Sequence, residues 1–293
     1  MCSDRAPPPD SSVIEPDNFS DNDSTYPGSL GDASYTTSIT SSAMNYAYHS
    51  YHEGEYVLSH HIYRMLFKGE LNRAPIKNPA RVLDIGTGTG IWAIDYAEIP
   101  PNCRFEVDDF EQPWSYSKPF DYIHGRELEG CVRDVDNLFR QALENLKPGG
   151  WMEIASMEVN TYSDDDTHLR AKNLLEGIVY MHDCAREYGK DMASVHTWKE
   201  KMEKAGFVNV REEIFKLPQS PWPKDPKMKD LGRYHQVNMF EALGPYCYAL
   251  FTRVMGWERT EIEVFVAGMK QELRDLNNHL YTKVHIVYGQ KPE

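Results

Sequence analysis

Apolar positions along this chain recur in two rhythms, and together they lay out an α/β protein. Residues Met44–Leu71 are aromatic and helix-compatible, with Val57, His61 and Met65 at i, i+4 and i+8, and Leu58, Ile62 and Leu66 beside them. Arg81–Ile85 (RVLDI) is bulky and apolar, as a buried strand is. A helical segment opens at Ile91 and is stopped by Pro100–Pro101. Cys103–Val107 and Phe120–His124 read as two further strands. Asp134–Leu146 carries Val135, Leu138, Phe139, Ala142, Leu143 and Leu146 on one helical face, and Lys147–Gly150 (KPGG) terminates it. Trp151–Val159 follows as a strand. The second half is mostly helical, over Thr167–Glu187, Val195–Ala205, Lys227 to about Gly256, and Thr260–Asn277. Phe207–Leu217 and Val284–Tyr288 (VHIVY) are its strands, and Pro218–Pro226 is a loop. Strands alternating with helices imply a mostly parallel sheet with helices on both faces, wound by right-handed crossovers.

The first 42 residues break this rhythm. They are rich in Ser, Asp, Thr, Pro and Gly, and seven acidic residues face only Arg5, a net charge of −6. Such a stretch buries too little apolar surface to order itself. The expected organisation is a disordered acidic tail, residues 1–42, and one domain, residues 43–293. The whole chain carries −14, which argues against a nucleic-acid or anionic-membrane surface. No long apolar run or signal core is present, so a soluble intracellular protein is expected, cytoplasmic or nuclear. Five scattered cysteines without a C-x-x-C pair, and no H-E-x-x-H, point to reduced thiols and no metal.

Chemistry concentrates in RVLDIGTGTG, residues 81–90. A strand, a turn with glycine at 86, 88 and 90, and a helix start form the layout of a nucleotide-binding βα unit. Glycines let a ligand approach the backbone, and a helix start offers free N–H groups. The spacing is Asp-x-Gly-x-Gly-x-Gly, distinct from the dinucleotide fingerprint G-x-G-x-x-G.

Several blocks resemble the fungal LaeA-like class I S-adenosylmethionine-dependent methyltransferases. They are RVLDIGTGTGIWAID (81–95), PPNCRFEVDD (100–109), KPGGWMEI (147–154), AGFVNVREEIFK (205–216), PWPKDPKMKDLGRY (221–234) and LFTRVMGW (250–257). The resemblance covers residue 43 to the end. It implies a Rossmann-like seven-stranded sheet with an antiparallel strand at its edge, an S-adenosylmethionine cofactor and a small-molecule acceptor. It also leaves open a regulatory role in secondary metabolism with a protein partner. By resemblance, Asp84, Gly86, Thr87, Gly88 and Gly90 hold the methionine end of the cofactor. Asp108 and Asp109 border its adenine, and residues His124 to Arg126 lie next to the acceptor.

One departure matters. Only seventeen positions separate Gly90 from Asp108, about twenty fewer than the family pattern. One family strand and its ribose-binding acid are expected to be lost. Either Cys103–Val107 keeps the third-strand position and leaves a gap, or it moves beside the first strand. In the second case Asp108, 22 residues after Gly86, becomes the ribose acid. No pattern names a catalytic residue. His124 and Glu127 follow a strand tip and are candidate bases, although a structural histidine is the commoner role. Trp114, Tyr116, Trp198, Trp222 and Trp257 are candidates for an aromatic acceptor pocket or plain core.

Overall fold

A computed structural model describes residues 13–17, 53–97 and 103–293 of the chain. Helix α1 is Glu53–Leu66, and strand β1 is Val82–Ile85. Then come α2 (Ile91–Ala97), β2 (Phe120–Arg126), α3 (Val135–Asn145) and β3 (Leu146–Met157). The second half holds α4 (Lys172–Glu187), α5 (Trp198–Lys204), β4 (Val208–Pro218), α6 (Pro226–Leu250), α7 (Arg259–Arg274) and β5 (Tyr281–Gln290). A π-turn, Phe251–Met255, continues α6 and stops at Gly256 in a left-handed conformation.

The strands form one sheet in the order β1-β2-β3-β5-β4. Pairs β1·β2 and β2·β3 are parallel, and β3·β5 and β4·β5 are antiparallel, so the expected α/β sheet is mixed. Val284–Tyr288 does lie in an antiparallel strand, but β5 sits inside the sheet and β4 forms the edge.

Three clusters of buried side chains hold these layers. On one face α1 and α2 bring Ile62, Tyr63, Leu66 and Trp92 against Tyr122, Ala155, Val284 and Ile286. On the other, α3 and α5 bring Leu138, Phe139, Trp198 and Met202 against Ile123, Met152, Ile154 and Val287. The third cluster is a helical cap of α4, α7 and the end of α6, around Leu174, Met181, Cys247, Phe251, Ile262 and Met269. Asp134 caps α3 by accepting the Asn137 N–H at 2.8 Å, which starts the helix where its apolar periodicity begins.

Two expectations are corrected. Cys103–Val107 is not a strand, and it stands neither in the third-strand position nor beside β1. The Phe105 ring turns onto Gly90, Cys103 Sγ donates to the Ala93 carbonyl, and Val107 is fully exposed. A strand needs a ladder partner, and among the described residues β1 pairs on one side only. The KPGG stop is also absorbed into β3: Gly149 takes φ +74°, and the register with β2 shifts between Phe120 and Tyr122.

Five residues of the acidic stretch are placed on the body. Pro16 bridges Pro223 in antiparallel fashion, and the Asp17 N–H donates to the Trp222 carbonyl at 3.0 Å. The Lys224 N–H donates to the Glu15 carbonyl, the Lys224 side chain pairs with the Glu15 carboxylate, and Lys229 pairs with Asp17. The other tail residues, and Met44–His52 of the expected first helix, lie outside the described residues.

Candidate active site

The tip of β1 opens into a cavity of about 120 Å³ at the carboxyl end of the parallel strands. Asp84, Gly86, Thr87, Gly88 and Thr89 form its floor, and Trp92 of α2 one wall. The tips of β2 and β3 contribute His124, Arg126, Glu127 and Met157. Ser59 of α1 and Asn238, Ala242 and Tyr246 of α6 roof it. The three α6 residues recur at i, i+4 and i+8, so one face of that helix points at the glycine turn.

The turn needs its glycines for a conformational reason. Gly86, Gly88 and Gly90 take φ of +65°, +56° and +78°, where a Cβ strains the backbone. Thr87 Oγ1 is buried and has no hydrogen-bond partner among the described residues. A buried hydroxyl left unpaired is costly unless something else completes it.

The register of β1 and β2 places Asp84 opposite His124. Their side chains join at 2.7 Å, and the imidazole stacks on Trp92 with ring centres 3.7 Å apart. Burial lowers the His124 pKa, and Asp84 only partly offsets this, so the ring is neutral and donates its Nδ1–H to the carboxylate. Its role is to hold Asp84 and close a wall. Arg126 lies over the Tyr63 ring at 4.9 Å, and its Nη2 donates to His60 Nδ1 at 3.2 Å. His60 in turn donates Nε2–H to Asp95, which also pairs with Arg64.

Glu127 ends the β2 tip at φ +55°, a strained conformation for a side chain of this kind. Tyr63 donates its hydroxyl to the Glu127 carboxylate. Burial raises the Glu127 pKa, with Tyr63 and then Arg126 opposing it. A carboxylate lining the cavity, made more basic by burial, is the residue here best suited to take a proton.

Of the sequence-derived cofactor residues, Asp84, Gly86, Thr87 and Gly88 line this cavity, and Gly90 closes the turn. Asp108 and Asp109 do not line it. Asp108 accepts the Asp109 N–H, and the Asp109 carboxylate accepts the Glu111 N–H within its own turn. Asp109 instead borders a separate cavity of about 520 Å³ with Glu111, Arg133 and Lys190. The aromatic candidates for an acceptor pocket lie elsewhere: Trp114 and Tyr116 pack against the core under α3, Trp198 and Trp222 are buried in the body, and Trp257 packs with Tyr180, Phe251 and Phe265 in the cap. Arg126 was expected beside the acceptor, whereas Ser59, Met157 and the α6 residues are cavity residues that local pattern leaves unmarked.

The donor set fits the amino-acid end of S-adenosylmethionine. A turn stripped of side chains, the Thr87 hydroxyl and Arg126 suit its carboxylate, and Asp84 suits its ammonium.

Comparison with known proteins agrees with this geometry. The profile of the methyltransferase domain family matches residues 52–212. Methyltransferase pytC of Aspergillus terreus is 31% identical over 306 aligned residues, covering 90% of this chain and 94% of that protein. Probable methyltransferase tdiE of Emericella nidulans is 30% identical, covering 80% of each chain. Secondary metabolism regulator LAE1 of Cochliobolus heterostrophus is 29% identical, covering 84% of this chain and 93% of that protein. With a βα glycine turn, a matching domain profile and relatives aligned over most of its length, the chain belongs to the LaeA-like family of S-adenosylmethionine-dependent methyltransferases.

Proposed function

We propose that this protein transfers a methyl group from S-adenosylmethionine to a small molecule of fungal secondary metabolism. The observation that carries this is the glycine turn with its unpaired Thr87 hydroxyl, set across one cavity from the Glu127 carboxylate. When bound, the sulfonium supplies an electrophilic methyl, so the protein's part is positioning. Asp84, Thr87 and Arg126 orient the donor tail. The Trp92–His124 stack holds Asp84 in place. Asn238, Ala242 and Tyr246 keep water from the reacting face. Glu127 accepts the proton of an acceptor hydroxyl or amine, with Tyr63 fixing its rotamer. The reading places the protein in the cytoplasm or nucleus.

A second reading is a regulator that keeps the fold and works through a protein partner. It is favoured by β1 pairing on one side only among the described residues, and by Asp108 and Asp109 standing outside the cavity. Calorimetric titration with S-adenosylmethionine, followed by turnover on fractionated fungal metabolites, separates the two. Binding with a methylated product supports the enzyme. Absence of binding supports the regulator.

A further inference from the structure

The cavity is lopsided. On its inner side the charged and polar groups converge: Thr87, Arg126, Asp84 and Glu127. On the outer side of the turn, two phenyl rings of the irregular segment after residue 102 lie over the glycines. A Cβ on Gly90 would meet Phe105 at 2.5 Å, and one on Gly86 would sit 4.0 Å from Phe110. The cavity volume of about 120 Å³ is well below the roughly 300–1,000 Å³ usual for a drug-sized ligand. Asp108 and Asp109, the acids the sequence offered for ribose or adenine, accept N–H groups of their own turn.

We propose that this cavity is an amino-acid half-site: it takes a zwitterionic α-amino acid with a thioether or sulfonium side chain and gains little from an attached nucleoside. The inference rests on the glycine turn being the ligand site, as proposed above, and narrows what that site recognises. Both ends of the zwitterion find partners of opposite charge. The carboxylate meets Arg126, of whose five N–H groups one goes to His60, and the Thr87 hydroxyl. The ammonium meets Asp84. Met157 offers apolar surface to a methylthio group.

Calorimetry on the full chain tests this with three probes at pH 7: L-methionine, S-adenosylhomocysteine and 5′-methylthioadenosine. The last carries the nucleoside and the sulfur but no amino acid. Methionine is expected to bind within about tenfold of S-adenosylhomocysteine, one factor of ten being about 1.4 kcal/mol. Methylthioadenosine should show no measurable heat. Thr87→Val and Arg126→Met should weaken methionine and S-adenosylhomocysteine by the same factor. S-adenosylhomocysteine binding more than tenfold tighter than methionine, or measurable methylthioadenosine binding, overturns the half-site and leaves methyl transfer standing. Methionine binding without S-adenosylhomocysteine binding supports the half-site and removes methyl transfer. If no probe binds, both readings fall.

Discussion

Replacing Gly86 by alanine separates the two reasons a glycine occupies the turn. The residue sits at φ +65°, and an added Cβ would lie 2.8 Å from Leu128 Cδ2. Leu128 is 2% exposed and belongs to the core under α3 and α5, so it has no solvent to swing into. Left-handed backbone costs a non-glycine residue about 1–2 kcal/mol. Forcing an extra carbon into a packed core costs about 1–3 kcal/mol more. The expected loss is therefore about 2–5 kcal/mol, against a usual domain stability of about 5–15 kcal/mol. Gly256 supplies the control. It takes φ +70° at the end of the π-turn, and a Cβ there meets nothing within 4 Å. Gly256→Ala carries the backbone cost alone, about 1–2 kcal/mol. Urea denaturation of both variants and the parent, with the slope checked for constancy, reads the difference. Gly86→Ala should lose at least about 1 kcal/mol more than Gly256→Ala. Equal losses would show that Leu128 yields freely, and would refute the packing half of the argument.

Three other outcomes follow from buried charges and from the docked tail segment. Burial would lower the His285 pKa, but hydrogen bonds to Glu158 at 2.6 Å and Glu212 at 2.7 Å outweigh it and raise the value to about 9. Its stabilisation, about 3 kcal/mol, is fully present below the unfolded value of 6.5 and lost as pH climbs through 9. His285→Gln should thus destabilise strongly at pH 6 and weakly at pH 10 in urea melts; a pH-independent loss would contradict the pairing. Burial pushes Glu129 up to about 8, and one of its oxygens has no partner. Stability from its neutral form is present below the ordinary 4.5 and falls as pH rises through 8, so Glu129→Gln should gain melting temperature on the parent between pH 5 and 9. A gain that shrinks over that range counts against this. Lys229→Glu should raise hydrogen exchange at the start of α6, and Asp17→Lys in the same chain should restore protection; failure of the rescue would mean the Asp17 pair does not hold the segment.

Much of the fold was legible because strand and helix periods are local. The five strands among the described residues fall where apolar runs placed them, and the helices after α1 begin and end near their signals; α1 stops short of Leu71, and its expected start at Met44 lies outside the described residues. Cys103–Val107 misled because alternation tells which side of a strand would be buried, and says nothing of whether a neighbouring strand exists to pair with it. KPGG read as a stop, and a bulge absorbed it, because pairing with β2 outweighs local turn preference. In the site, spacing marked the glycine turn as a nucleotide-binding βα unit, and the family resemblance named Asp84, Gly86, Thr87 and Gly88, which line the cavity. Asn238, Ala242 and Tyr246 arrive from a helix about 150 residues further along, through contact of α6 with α1, which no local pattern encodes. Asp108 kept a plausible spacing but lost the strand that would have carried it to the ligand.

The claim beneath all of this is that the glycine turn and the Thr87 hydroxyl hold the donor's amino-acid end. Calorimetric titration of S-adenosylhomocysteine into the parent chain and Thr87→Val addresses it directly. A hydrogen bond to a charged group contributes about 1.5–3 kcal/mol, so saturable binding weakened roughly 10- to 150-fold by the substitution is the predicted result. Undiminished affinity in Thr87→Val, or no binding to the parent, would contradict it.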